Sequence, residues 1–442
     1  MRGVCFGGLL LIFLSFEVES KTPAVFQELI NHAKAGETVL IPSGTYVGNF
    51  LIQKPLTLIA KNDVILDGKL RGTVLEVRAP QVHISGITIR NSGVTLGAED
   101  SCIKVEDGAH FELRNSKVEN CLFGIELLNS PFSQIEDCKI SGYDLALAQR
   151  GDLLKAWYSS SLQLVRNEFF RGRDVIVWYS PHATLNQNQM KSSRYGIHFM
   201  YSDESSAQEN IIENNSVGIY AMYSHKLSIL GNTVLNNRGP SGFGIALKDS
   251  NEFKMNHNEL FRNRVGIYFD NSPMGALSED IRPAFIERNR IVFNDVGVSF
   301  IGRSTGANYR QNDFIDNWQP LGVLHAERIE AQWELNYWSD YTGIDIQGQG
   351  VGAIPYRLSH LADDLTDRYE GFKLFKFGPA MMALEFASRA IPWLKPDSKA
   401  QDPSPSMHPW TSIKRQSSSY SIFWVAIFFL FISWGLNRVM NL

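Results

Sequence analysis

Between Gly86 and Asn317 apolar and polar residues alternate in very short runs, each closed by a polar corner, and the runs recur. One phrase reads Asn188-Gln-Met-Lys, Asn210-Ile-Ile-Glu-Asn-Asn215, Asn232-Thr-Val-Leu-Asn-Asn237, Asn258-Glu-Leu-Phe-Arg-Asn263, Asn289-Arg-Ile-Val-Phe-Asn294 and Asn312-Asp-Phe-Ile-Asp-Asn317, with Asn115-Ser-Lys-Val-Glu-Asn120 ahead of them. A second phrase keeps step with it: Gly124-Ile125, Gly196-Ile197, Gly218-Ile219, Gly244-Ile245, Gly266-Ile267 and Gly297-Val298. From Asn188 to Asn210, and again to Asn232, the step is 22 residues; longer steps carry insertions. Such a period leaves no room for a βαβ unit, and no amphipathic helix separates the strands. It predicts a solenoid. Three short strands with tight corners fill one coil, and coils stack at about 4.8 Å. The leucine-spaced consensus of a horseshoe repeat is absent. The expected fold is all-β, a single-stranded right-handed parallel β-helix.

Stacking places like above like. The column Asn115, Asn188, Asn210, Asn232, Asn258, Asn289 and Asn312, with Asp137 and Asn167, is expected to be a structural amide ladder at a corner. Asn tolerates a left-handed backbone there, and its side chain can bond to the next coil. The glycines serve a second corner. The two-residue period of a strand then sorts the residues after each Gly. Val175, Ile197, Ile219, Ile245 and Ile267 point inward, as do Val177, Phe199, Ala221, Leu247 and Phe269. Ile176, His198, Tyr220, Ala246 and Tyr268 form one outward column, and Trp178, Met200, Met222, Lys248 and Asp270 the next.

An outward face should be polar, yet Trp178, His198, Met200, Tyr220 and Met222, with Tyr268 further along, form an apolar and sulfur-bearing patch. Three readings stay open: docking of a partner, cover by another segment of the chain, or ligation of a metal by His198, Met200 and Met222. Imidazole and thioether suit Cu(I), whereas zinc favours more thiolate, imidazole or carboxylate. Three other histidines, His182, His225 and His257, are isolated and read as turn or surface residues. Many β-helices act on acidic polysaccharides through clustered carboxylates or an Arg or Lys base. Here Asp144, Asp152, Lys155, Asp249 and Asp270 fall in different columns, so catalysis is not expected.

The ends differ from the coils. Met1-Arg2, an apolar core around Leu9–Leu14 and Val18-Glu-Ser20 have the layout of a secretory signal, residues 1–20. Residues 21–357 form the β-helix, opened by a short amphipathic helix at Ala24–Ala35 that covers the first coil. Residues 358–395 read as a helical extension, with Leu358–Phe375 and Pro379–Ile391 as its helices, and 396–419 as a Pro- and Ser-rich linker. Residues 420–440 are almost uncharged and long enough for a transmembrane helix anchoring the chain to the inner membrane. A net charge of −4 gives no footprint for nucleic acid. Cys102, Cys121 and Cys138 fall in different columns of the register, so no disulfide between stacked residues is expected.

Several phrases carry a family resemblance. Asp174-Val-Ile-Val-Trp-Tyr-Ser180, Arg194-Tyr-Gly-Ile-His-Phe-Met-Tyr-Ser202 and Val217-Gly-Ile-Tyr-Ala-Met-Tyr-Ser224 resemble the centre of the NosD family. Asn336-Tyr-Trp-Ser-Asp-Tyr341, Pro355-Tyr356, Pro379–Ile391 and the insertion at Gly151–Ser159 are similar to its other signatures, so the resemblance covers about Pro23 to Pro396. It implies a periplasmic copper-binding β-helix that serves an ABC-type assembly with permease and ATPase subunits. That assembly delivers copper, or sulfur, for maturation of nitrous-oxide reductase, with a copper chaperone and the reductase as partners. Copper is the implied cofactor. Gln349 and Ala353 replace carboxylates usual in the family, which puts in doubt any cation held there by relatives. The alternative is a membrane-tethered β-helix that binds or modifies an acidic polysaccharide.

Overall fold

The computed structural model describes residues 20–411 except 22, 240, 272–283, 303–304, 325–329, 359–364, 366–368, 376–377, 391–397 and 399. The chain winds as a right-handed all-β solenoid. One wall is a 12-stranded parallel sheet, and a 25-stranded sheet folds round the other two. The inward residues expected from the alternation, Val175 through Phe269, are all buried in one continuous core.

Three ladders hold the corners. At the first, Asn167, Asn188, Asn210, Asn232, Asn258, Asn289, Asn312 and Asn336 stack, and from Asn188 onward each Oδ1 accepts from the backbone N–H and Nδ2 of the Asn before it, while Asn167 Oδ1 accepts from Cys138 N–H. The second stacks Asn215, Asn237, Asn263, Asn294 and Asn317. At the third, the hydroxyls of Ser159, Ser180, Ser202, Ser224 and Ser250 accept from the backbone N–H of the serine one coil earlier. Buried backbone donors at a corner need such acceptors, because no strand neighbour supplies them. The left-handed residue is not the Asn itself but the one before it, for example Gln187, Glu209 and Asn214. Asn115 is therefore displaced from the expected column. It is exposed with φ +48°, and Ser116 takes the buried place, accepting from Ile87 N–H at 3.2 Å.

A disulfide joins Cys102 and Cys121. The expectation of none considered stacked residues only. Cys102 lies on Ser101–Glu106, and the next coil sets Phe123 over Ser101, which brings Cys121, two residues earlier, round the corner onto Cys102. Cys138 is free and buried; burial pushes its thiol up to about 12, so it is inert as a nucleophile.

The helix Pro23–His32 covers part of the first coil. The last coil is closed differently. Tyr356–Leu358 pairs antiparallel with Ala400–Asp402, inside the stretch read as linker. From there residues 400–411 lie across the coil as a strap. Asp402 Oδ2 accepts from the N–H and Nδ2 of Asn336, both 3.0 Å, and so ends the first Asn ladder. Asp313 accepts from the N–H groups of Trp410 at 2.8 Å and Thr411 at 2.9 Å. Burial pushes both carboxyls up, against the hydrogen bonds that favour the anions. In the helical extension Pro379–Ala390 is an α-helix and Glu370–Phe375 a 3-10 turn. The fold class is corrected in one respect: among the described residues no helix is long and apolar enough to cross a membrane. The run at 420–440 lies outside the described residues.

Candidate functional site

The outer face of the 12-stranded sheet keeps the expected register. Ile176, His198, Tyr220, Ala246 and Tyr268 pair in sequence, and so do Trp178, Met200, Met222, Lys248 and Asp270. The first column extends backwards through Lys155, Glu126 and Lys104. A third column, absent from the sequence reading, is made of Tyr158, Tyr179, Tyr201 and Tyr223, each left-handed with φ between 48° and 51°. Elsewhere this corner holds Asp107, Asn129 and Asp249, residue types that tolerate that backbone better. The four tyrosines stack with ring centroids 5.2, 4.9 and 4.9 Å apart and planes within 13°. Trp157 and Trp178 stack beside them at 5.8 Å.

The patch is less open than alternation suggests. His198 is only 5 % exposed, and Ile176 and Ala246 are buried, while Trp178, Met200, Tyr220, Met222 and Tyr268 are half-buried. His198 lies in a niche walled by rings of its own coils. Tyr195 meets it edge-on at 5.0 Å and Tyr220 stacks on it at 5.9 Å. Below it Asp174, buried, accepts from Arg194 Nε at 2.9 Å and Arg194 Nη2, and lies 3.3 Å from His198 Nδ1. Burial alone would push the Asp174 carboxyl up; the bonds from His198 and Arg194 outweigh it and hold the carboxyl below its usual range. In the neutral imidazole, Nδ1–H donating to Asp174 leaves the lone pair on Nε2. That Nε2 is buried with no hydrogen-bond partner. Asp174, Arg194 and Tyr195 escaped the sequence reading because they sit at the strand entrance, ahead of the positions that alternation sorts.

The expected acid and base candidates are not brought together. Asp152 is buried against Arg173, with bonds of 2.9 and 2.7 Å. Asp144 is exposed, 3.7 Å from Arg171, and Asp270 follows Lys248 on the far coils. Lys155 is the exception: its Nζ lies 2.7 Å from Glu99 and 3.5 Å from the fully buried Glu126. Burial, and then the charge of Glu99, push Glu126 up to about 7, while Lys155 and Lys104 pull it down. The folded chain thus holds a proton that the unfolded chain releases at its ordinary value of 4.5, so stability falls as pH rises between those values. Glu126→Gln is expected to raise the melting temperature at pH 8 and to change little at pH 5. Equal shifts at both pH values in thermal melts would refute this.

Among the described residues no three His, Cys, Asp or Glu gather to hold a metal ion, so a site here rests on thioethers. The orphaned Nε2 of His198 and the thioethers of Met200 and Met222, half-buried in the adjoining column, are donor types that a soft cation such as Cu(I) takes.

A family profile described as "Periplasmic copper-binding protein (NosD)" matches residues 137–343, the coils that carry this face. A Pseudomonas aeruginosa protein named "Probable ABC transporter binding protein NosD" is 30% identical over 365 residues, covering 80% of this chain and 84% of its own. The chain belongs to the NosD family. A second family member of the same name, from Stutzerimonas stutzeri, is 27% identical over 383 residues, covering 83% of this chain and 86% of its own. Both NosD relatives bear the name of a binding protein, and the family description is periplasmic. Among solved structures, the catalytic domain of a GH87 alpha-1,3-glucanase superposes with a TM-score of 0.53 at 10% identity, over 69% of this chain and 65% of that one. That likeness is one of fold alone.

Proposed function

We propose that this chain is the non-catalytic periplasmic component of an ABC-type assembly, working with permease and ATPase subunits to supply copper for maturation of nitrous-oxide reductase. Copper is cargo in this reading. One observation carries it: a buried histidine whose Nδ1 is oriented by Asp174 and whose Nε2 is left without a partner, one register column from the paired Met200 and Met222. An outer-shell carboxylate of this kind sets the tautomer and strengthens the donor of metal-ligating histidines. Met200 and Met222 supply the soft donors that Cu(I) prefers. The rings of Tyr195 and Tyr220 cover His198 and restrict water around it, and the half-buried aromatic and thioether face is the natural seat for a copper chaperone or the client reductase.

The polysaccharide reading draws less support. Sugars pack on open ring faces, whereas the tyrosines of the third column spend their faces on each other and offer edges.

The test is anaerobic Cu(I) titration of the full chain against a chromophoric chelator. We expect one site, weakened at least about tenfold by His198→Ala and by Met200→Ala with Met222→Ala, with the circular dichroism spectrum intact. The double variant is also expected to lose copper loading of the client enzyme. Unchanged Cu(I) affinity in both variants would remove this face from copper handling.

A further inference from the structure

The first coil presents three strand edges at the N-terminal end of the solenoid, and two are closed. Gly44–Val47 is covered by Ser20–Lys21, in parallel pairing. Phe50–Ile52 is closed by a side chain: Gln27 Nε2 donates to Leu51 O at 2.9 Å and Gln27 Oε1 accepts from Leu51 N–H at 3.0 Å. The helix Pro23–His32 lies over these same two strands, with the Phe26 ring 5.3 Å from Tyr46 and 4.7 Å from Phe50.

The third edge differs. Thr38–Ile41 pairs on one side only, with Thr57–Asp67. Thr57 N–H donates to Glu37 O at 3.0 Å, which fixes the parity of the parallel ladder. Val39 and Ile41 turn their backbone groups to that neighbour, and Thr38 and Leu40 turn theirs outward. Among the described residues no strand pairs with that side. Beside the edge runs a groove of about 510 Å³, lined by Val25, Leu29, Val39 and Leu40, with two carboxylates, Glu28 and Glu37, against one imidazole, His32, among its lining residues and no lysine or arginine. Leu40 is 60 % exposed, and Ile59, its partner one coil on, is exposed beside it.

An unpaired edge with apolar side chains is the liability that natural sheets suppress with charge, proline or a cover. The two neighbouring edges are covered, and among the described residues the third is not. We propose that the free edge of Thr38–Ile41 is a strand-addition site, taking an extended segment of a partner protein with apolar side chains at alternate positions and basic residues at its ends. Thr38 and Leu40 supply main-chain donors and acceptors, the apolar lining takes alternate side chains, and the carboxylates of Glu28 and Glu37 set the charge preference. A second copy fits poorly, because the helix Pro23–His32, about 10 Å across, stands on the end of the coil and keeps another solenoid end from lying flush.

The probe is a short fluorescent peptide of alternating valine and threonine with a lysine at each end, titrated onto the full chain by anisotropy. We expect saturable binding, with slowed hydrogen exchange at the Thr38 and Leu40 amides. N-methylation of the peptide on its pairing edge, and Leu40→Pro in the protein, should each weaken binding by about tenfold or more. Proline is tolerated at an edge position whose N–H faces outward, so the pairing with Thr57–Asp67 survives. Glu28→Lys with Glu37→Lys is the second variant, expected to weaken the lysine-ended peptide and to favour one ended by glutamate. Absence of binding at millimolar peptide, equal binding of the N-methylated peptide, or a dimer of this chain dispersed by Leu40→Pro would each overturn the proposal. None of these readouts depends on copper, so it stands or falls apart from the reading above.

Discussion

Asn232→Ala is expected to destabilise the coils by about 3–5 kcal/mol, because it strips a buried donor and acceptor pair from the middle of a ladder. Asn232 Oδ1 accepts from Asn210 N–H at 3.0 Å and Asn210 Nδ2 at 2.9 Å, and its Nδ2 donates to Ala207 O at 2.9 Å and Asn258 Oδ1 at 3.0 Å. Alanine leaves the Asn210 N–H in a dry corner with no acceptor, where water cannot replace the lost amide. Each group stranded in this way costs about 1–3 kcal/mol, and the cavity adds to it. Exposed Gln187, which donates to Glu209 at 2.9 Å, is the control: Gln187→Ala should change stability by less than about 0.5 kcal/mol. Denaturant unfolding reads the difference, and hydrogen exchange at Asn210 locates it. A loss below about 1 kcal/mol for Asn232→Ala would mean that the ladder is dispensable at that coil.

Asp174→Asn keeps the shape of the side chain and removes its charge. Arg194 then has no direct counter-ion at the strand entrance, and His198 loses the acceptor that selects its tautomer. Breaking a fully buried pair costs about 3–5 kcal/mol, and 38 % of the Arg194 side chain remains in water, so about 2–3 kcal/mol is expected. The sign with pH follows from the depressed carboxyl. Its stabilisation is complete above the ordinary carboxylate range and fades as pH falls through the folded value, so wild type and variant converge in acid. Cu(I) affinity should fall by about 10–100-fold, the usual effect of losing an outer-shell partner. Asp174→Asn combined with His198→Ala separates the two roles: affinity losses that fail to overlap would show that Asp174 does not act through His198.

The period and the two-residue alternation made the coils, the inward columns and the outward pairing legible, since both follow from where a strand puts successive side chains. Corners were harder. In Asn115-Ser116 two small polar residues compete for one buried place, and only the backbone shows that the left-handed residue comes first. The Cys102–Cys121 bridge joins neighbouring coils across a bend, and a search for stacked residues misses it. Alternation placed His198 on the outer face, but its burial depends on how Tyr195 and Tyr220 lean over it, which no spacing encodes. Residues 400–411 have linker composition, yet their Asp, Ser and Pro residues are used as caps. Asp402 satisfies the two donors of Asn336 as an asparagine would, with nothing left to hand on.

That last substitution gives the ladder a direction. Along the row each asparagine passes its backbone N–H and one Nδ2 proton to the next coil while its Oδ1 receives from the coil before, so a further asparagine would call for one more coil, from this chain or from another. A carboxylate only receives. By ending the row on Asp402, the chain gives this ladder a terminus in the chemical sense, an acceptor whose side chain has no proton to pass to a further coil.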